Sequence, residues 1–130
     1  MKIRAARYGD GLPSGEAVIT SAGNLLAKRV IHVVGPIWRG GNQGEEKVLM
    51  RAYQNCLEIA READLKSIAF PSISTGAFGY PIEKAGRVAL RSTRDFLREK
   101  KAQFQEIRFV LFTPSDHDLY LRFAAEEFPL

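Results

Sequence analysis

The sequence predicts one α/β domain, and three observations carry that prediction. Short β-branched runs alternate with long stretches of helical spacing, glycine and proline punctuate the boundaries, and 130 residues suffice for one core but not two. At this length about two-thirds of the unfolded chain's surface can be buried, so neither metal nor disulfide is needed to hold a core. The single cysteine, Cys56, excludes an internal disulfide and fits a reducing cytoplasm. No apolar run approaches the roughly 20 residues of a membrane helix, and the N-terminus lacks a signal-peptide apolar region. The expectation is a cytoplasmic protein without a membrane partner.

The elements follow in order. Gly9-Asp10-Gly11-Leu12-Pro13-Ser14-Gly15 reads as a loop, and residues 16–20 as a short strand. Gly23-Asn24 marks a turn into residues 29–34, an apolar β-branched run expected of a strand covered on both faces. Two strands joined so briefly should be antiparallel neighbours. Gly35-Pro36 closes the second strand, and a glycine-rich polar stretch follows through Gly44. From 45 to 63 the residues Val48, Leu49, Ala52, Tyr53, Cys56, Leu57 and Ala60 form one helical stripe. Residues 67–70 predict a third strand ending at Pro71. Pro81 opens a second helix to about Lys100, with Ala85, Val88, Ala89, Ser92 and Phe96 on one side. Residues 107–112 predict the fourth strand. Ser115 followed by Asp118 suggests a capping box for a last helix running to about Glu127. The last three strands alternate with helices long enough to be crossovers, so they should be parallel.

Between the third strand and the second helix lies Ser72-Ile73-Ser74-Thr75-Gly76-Ala77-Phe78-Gly79-Tyr80. A strand that passes through small residues into a helix start makes an anion site, because the first helical N–H groups lack acceptors and carry the positive end of the peptide dipoles. Gly76 and Gly79 allow close backbone approach and positive φ. Pro81 at the first helical position loses no hydrogen bond, and Ser74 and Thr75 would add hydroxyl donors. Such loops at the C-terminal ends of parallel strands are where open α/β sheets bind ligands. Neither G-x-x-x-x-G-K-[ST] nor G-x-G-x-x-G is present, which argues against a nucleoside triphosphatase or a dinucleotide dehydrogenase. On these residues alone, an anion cradle and a bare tight turn both stand.

Three segments together resemble the macrodomain family: Pro13-Ser14-Gly15-Glu16-Ala17-Val18-Ile19-Thr20, then Val30-Ile31-His32-Val33-Val34-Gly35-Pro36, then residues 70–81. The closing strand and helix at 107–128 are also similar, so the resemblance runs from about Arg4 onward, with residues 74–80 its most specific part. It implies a three-layer α/β/α fold with a mixed sheet that binds ADP-ribose or ADP-ribosylated protein. The implied ligand-binding residues are Ser72, Ser74, Thr75, Gly76, Ala77, Phe78, Gly79, Tyr80 and Phe112. Phe78 would pack near the distal ribose and Phe112 would face the adenine. Family members begin with a further strand, helix and strand before the matched region. Residues 1–130 are therefore expected to form a single, partial macrodomain, truncated at its N-terminus. The absent strand would lie between strand 67–70 and strand 30–34, leaving unpaired backbone groups or forcing the neighbours together.

The remaining polar residues yield no catalytic assignment. His32 lies in a predicted buried strand and reads as core; His117 reads as solvent-facing. Cys56 falls on an apolar stripe without flanking bases that would activate a thiolate. Asp116, Asp118, Glu126 and Glu127 read as helix-end charges, and Arg94, Arg98, Lys100 and Lys101 as a solvated helix face. No His/Cys/Asp cluster has metal-ligand spacing, and no cofactor is called for. Trp38 reads as a plug over the sheet edge in preference to a wall of the ligand cleft, and Arg39-Gly40-Gly41-Asn42 could form a lid.

Nineteen lysines and arginines against 15 acids suit an anionic ligand, and equally any soluble protein. The functions left are hydrolysis of ADP-ribosyl or O-acetyl-ADP-ribose esters, impaired by the missing segments; a non-catalytic ADP-ribose reader; and a basic nucleic-acid-binding module. Open sheet edges would also invite a homo-oligomer.

Overall fold

The computed structural model describes residues 12–23, 28–101 and 104–129. Gly9, Asp10 and Gly11 of the first predicted loop, and Asn24 of the predicted turn, lie outside the described residues. Strand β1 (Ala17–Ser21) pairs antiparallel with β2 (Arg29–Val33), running from Ala17 opposite Val33 to Ser21 opposite Arg29. This is the arrangement the short connection demands. Helix α1 (Glu45–Glu62) follows, and its apolar stripe packs inward: Leu49, Ala52, Tyr53, Cys56, Leu57 and Ala60 are all buried. Strand β3 (Ser67–Pro71) leads through the 72–81 loop to helix α2 (Ile82–Lys100). Strand β4 (Glu106–Val110) then lies parallel to β3, with Ser67 opposite Glu106 and Pro71 opposite Val110. Helix α3 (Pro114–Glu127) ends the fold.

The helices stand in a row, α1 against α2 and α2 against α3. Gly86 permits the second contact, because a Cβ there would come within 2.9 Å of the Tyr120 ring and 3.1 Å of the Phe123 ring. Beneath them the core is aromatic. Phe70 stacks on Phe109 at 5.6 Å, Tyr53 tilts against Phe70 at 5.1 Å, and Tyr120 against Phe109 at 5.8 Å. Each fully buried side chain of this size contributes about 1.5–3 kcal/mol by leaving water.

Several details differ from the sequence reading. The cap of α3 is Thr113, not Ser115: Thr113 Oγ1 accepts from the Asp116 amide at 3.1 Å, and Pro114 follows as a first-turn residue. Pro81 is the residue before α2 and keeps an extended ψ of 129° instead of entering the helix. Glu127 is not solvated. It is buried at 6% exposure and accepts from Arg91 Nε at 2.8 Å and from Arg94 Nη1. Arg94 therefore leaves the supposed solvated face of α2 and ties the end of α3 to that helix; Arg87 and Glu126 add an outer pair at 2.6 Å.

The largest difference lies in the sheet. The strands form two separate two-stranded sheets, β1–β2 and β3–β4. The parallel relation expected of three strands is seen for β3 and β4, whereas β2 pairs only with β1 among the described residues. Residues Val30, Ile31, His32 and Val33 are half-buried, where a run this apolar was expected to be covered on both faces. Between β2 and β3 runs a cleft of about 1030 Å³, lined by consecutive residues of both strands and touching Cys56 of α1. Of the two alternatives, a gap or a collapse, the backbone adopts the gap.

Candidate functional site

The 72–81 loop leaves the C-terminal end of β3 and is fastened at its base by four hydroxyls. Tyr53 accepts from the Ile73 amide at 3.2 Å, and its own proton reaches the Pro71 carbonyl at 3.5 Å. Burial, with Tyr120 adding to it, pushes the Tyr53 phenol well up, so it stays neutral and able to play both parts. Ser72 Oγ and the Tyr120 hydroxyl are 3.1 Å apart. Thr75 Oγ1 donates to the Ser72 carbonyl at 3.1 Å. At the far end, Gly79 N donates to Gly76 O at 3.0 Å and Tyr80 N to Ser74 O at 2.9 Å.

These bonds leave a particular remainder. The amides of Ser74, Thr75, Gly76, Ala77 and Phe78 have no acceptor among the described residues, and residues 76–78 are exposed. Ser74 sits at φ 69°, a left-handed turn of the main chain that costs an L-residue about 1–2 kcal/mol. Such a turn lets successive N–H groups converge on one anion. Gly79, at φ 73°, supplies the second reversal, which a glycine makes without steric cost. Helix α2 begins just beyond with no side-chain cap, so its first amides add positive potential.

The residues expected to bind ligand thus divide. Thr75, Gly76, Ala77 and Phe78 form the open tip, with Phe78 38% exposed. Ser72, Gly79 and Tyr80 make the frame. The hydroxyls of Ser74 and Thr75 do not serve as the free donors expected of them: Thr75 spends its proton on Ser72 O, and Ser74 Oγ is buried without a partner. Gly76 does not use positive φ, and its value is open space, since a Cβ there meets nothing within 4 Å. Phe112 is 96% exposed, two residues beyond β4. Because β3 and β4 are parallel and in register, Phe112 and the loop leave the same end of that sheet.

Trp38 is not a plug on a sheet edge. Its ring lies 4.6 Å from that of Tyr80, and its amide donates to Phe78 O at 2.9 Å, bracing the loop from behind. The glycine stretch after it is pinned by Glu45, a residue the sequence reading passed over. The buried Glu45 carboxylate accepts from the amides of Arg39 (2.8 Å), Gly41 (2.9 Å) and Gln43 (2.6 Å). A glutamate opening a helix directly after a glycine-rich run was the available signal. Burial alone would raise its pKa, but these main-chain donors hold it down at about 2, against an ordinary 4.5. A depressed folded-state pKa stabilises the fold above about 4.5, and that contribution fades as pH falls toward 2. Amide NMR signals of Arg39, Gly41 and Gln43 should therefore hold steady from neutral pH down through 4.5 and shift together only as pH approaches about 2.

Other candidates remain structural. Cys56 is buried, and burial pushes its thiol up to about 12. His32 Nε2 lies 3.0 Å from Thr20 Oγ1, and His117 is exposed. No cluster of three metal-ligating side chains occurs among the described residues.

The sequence model of the Macro domain matches residues 2–89. The chain belongs to the macro domain family. A macro domain-containing protein of Caldanaerobacter subterraneus is 54% identical over 120 residues, covering 92% of this chain and 67% of its own length. An O-acetyl-ADP-ribose deacetylase of Salmonella typhimurium is 46% identical over 114 residues, covering 88% of this chain and 63% of the enzyme. Among solved structures, the Oceanobacillus iheyensis macrodomain with ADP superposes with a TM-score of 0.89 at 37% identity, over 96% of this chain and 65% of that one. A Trypanosoma brucei macrodomain in complex with ADP-ribose superposes at 0.77 with 34% identity, over 86% and 46%. The macrodomain described here thus has the family's α/β fold and spans about two-thirds or less of the length of these relatives. No described helix is long and apolar enough to cross a membrane.

Proposed function

We propose that this macrodomain binds ADP-ribose, free or attached to protein, by gripping the diphosphate with the main-chain donors of residues 74–78. The supporting observation is the run of five consecutive amides without an internal acceptor, at the end of a parallel strand and the start of an uncapped helix. The Phe78 ring on the tip would lie along the distal ribose, and the exposed Phe112 ring would take the adenine. The Oceanobacillus and Trypanosoma relatives, with ADP and ADP-ribose respectively, support the same ligand class. A reducing cytoplasm suits the buried, protonated Cys56 thiol.

A second reading, hydrolysis of O-acetyl-ADP-ribose or ADP-ribosyl esters, draws on the 46% identity to the Salmonella deacetylase. Water attack needs a base or a polarising group, and residues 72–80 contain no carboxylate, imidazole or thiol. Turnover by these 130 residues is therefore proposed to be weak, with binding the principal activity.

Calorimetric titration with ADP-ribose, AMP and inorganic phosphate separates the readings. ADP-ribose should bind at least 10-fold tighter than either fragment, a difference of about 1.4 kcal/mol. Equal affinity for phosphate and ADP-ribose rejects the proposal. Steep salt dependence toward single-stranded oligonucleotides, without preference for ADP-ribose, would favour a nucleic-acid module instead.

A further inference from the structure

We infer that Glu45 is a positioning residue for the sugar end of the ligand site: held by amides of residues 39–43, it fixes Trp38, and Trp38 in turn fixes Phe78. This role deepens the binding proposal and rests on its placing of the Phe78 ring along the distal ribose. The motive is a buried charge with an unusual set of partners. Glu45 is 3% exposed, yet no lysine or arginine pairs with it among the described residues. Three main-chain N–H groups compensate it instead, those of Arg39 and Gly41 on Oε2 and that of Gln43 on Oε1. Helix α1 adds the positive end of its dipole, because Glu45 is its first residue. Residues 39–44 are all exposed, and Gly40 and Gly41 sit at φ 94° and 92°. A stretch so rich in glycine has much conformational freedom to lose, and one carboxylate gathers it into a single shape.

That order is passed to the loop at one point. Trp38 stands directly before Arg39, so two adjacent amides hold two partners: Arg39 N donates to Glu45 Oε2, and Trp38 N to Phe78 O at 2.9 Å. The second is the one main-chain hydrogen bond that joins residues 76–79 to another element among the described residues. The Trp38 ring is set as well. It lies 4.6 Å from that of Tyr80, and a Cβ on Gly41 would come within 2.9 Å of its Cη2. The first half of the loop has separate fastenings, the hydroxyls of Tyr53, Tyr120 and Thr75. Glu45 thus governs the Phe78 end and leaves the Ser74 end to those hydroxyls. For a ligand the consequence is selective. A diphosphate is gripped along the whole run, whereas the distal ribose depends on where the Phe78 ring sits. Holding that ring in place beforehand lowers the ordering cost only for a ligand that reaches it.

The test compares ADP-ribose with ADP, which lacks the distal ribose. Glu45→Gln keeps the shape of the side chain but removes its charge and sets an NH2 group among N–H donors. Without ligand, hydrogen exchange of the Trp38 amide reads its bond to Phe78 directly and should quicken about 10-fold or more. Emission of Trp38, the chain's single tryptophan, should shift with it. By calorimetry, ADP-ribose affinity should fall about 10-fold and ADP affinity by less than about 3-fold. A general weakening of the fold would cost both ligands alike, so equal losses overturn the inference, as does unchanged exchange at Trp38. Gly41→Ala disturbs the same link from an exposed position, where its Cβ would press on the Trp38 ring. Should Glu45→Gln fail to fold, this variant decides by the same ratio of affinities. If the unaltered chain does not bind ADP-ribose, the binding proposal fails on its own, and Trp38 exchange alone decides the role of Glu45.

Discussion

Replacing Gly76 by glutamate is expected to lower ADP-ribose affinity about 100-fold or more while leaving the fold nearly as stable as before. The first half rests on electrostatics. A carboxylate about 4 Å from a phosphate charge is repelled by about 4 kcal/mol at an intermediate effective dielectric, and about 2.7 kcal/mol suffices for a hundredfold loss. The second half rests on space. A Cβ at Gly76 meets nothing within 4 Å, Gly76 is exposed, and its φ is not positive, so glutamate is accepted without strain or collision. Urea unfolding should change by less than about 0.5 kcal/mol, as is usual for surface positions. Titration with undiminished affinity in a folded variant would remove residues 74–78 from the binding site.

Gly35→Ala is expected to do the reverse, damaging stability and grip together. A Cβ at Gly35 would lie 2.2 Å from Ser74 Oγ and 2.5 Å from Ile73 Cγ2, distances at which something must move. Overpacking of this sort costs about 1–3 kcal/mol. The atoms that must move belong to the loop, so ADP-ribose binding should weaken as well. Ser74→Gly makes the case sharper. It removes the unpartnered buried hydroxyl and suits a backbone already at φ 69°, so it should recover part of what Gly35→Ala loses. A double-mutant cycle measured by urea unfolding should give a favourable coupling of about 1 kcal/mol. Strict additivity would mean that Gly35 and Ser74 do not press on one another.

Much of this was legible in the sequence because the relevant signals are local. The apolar stripe of α1 from Leu49 to Ala60 needed only helical periodicity, and all six of the residues it turns fully inward were in the predicted set. The small residues between β3 and α2 left an anion cradle and a bare tight turn both open, and what the structure adds is a run of amides without an acceptor among the described residues. What stayed hidden depends on contacts distant in sequence. Nothing near Glu127 announces that two arginines more than 30 residues earlier will draw it into the interior. Nothing in Ser74 or Thr75 says that their hydroxyls are consumed or enclosed. The capping of α3 was missed for a simpler reason: Thr113-Pro114 and Ser115 both offer a start, and only main-chain geometry chooses between them. The resemblance left two outcomes open between β2 and β3, a gap or a collapse, and only the backbone chooses between them.

Gly35 has one more implication, which comes from its place in the chain. It follows β2 by two residues, on one wall of the cleft, while Ser74, against which it bears, lies on the loop that follows β3. The two halves meet like the jaws of pliers, and residues 74–78 lie where one jaw touches the other. Bulk added at Gly35 is therefore felt first at the loop, because its nearest neighbours are Ser74 and Ile73.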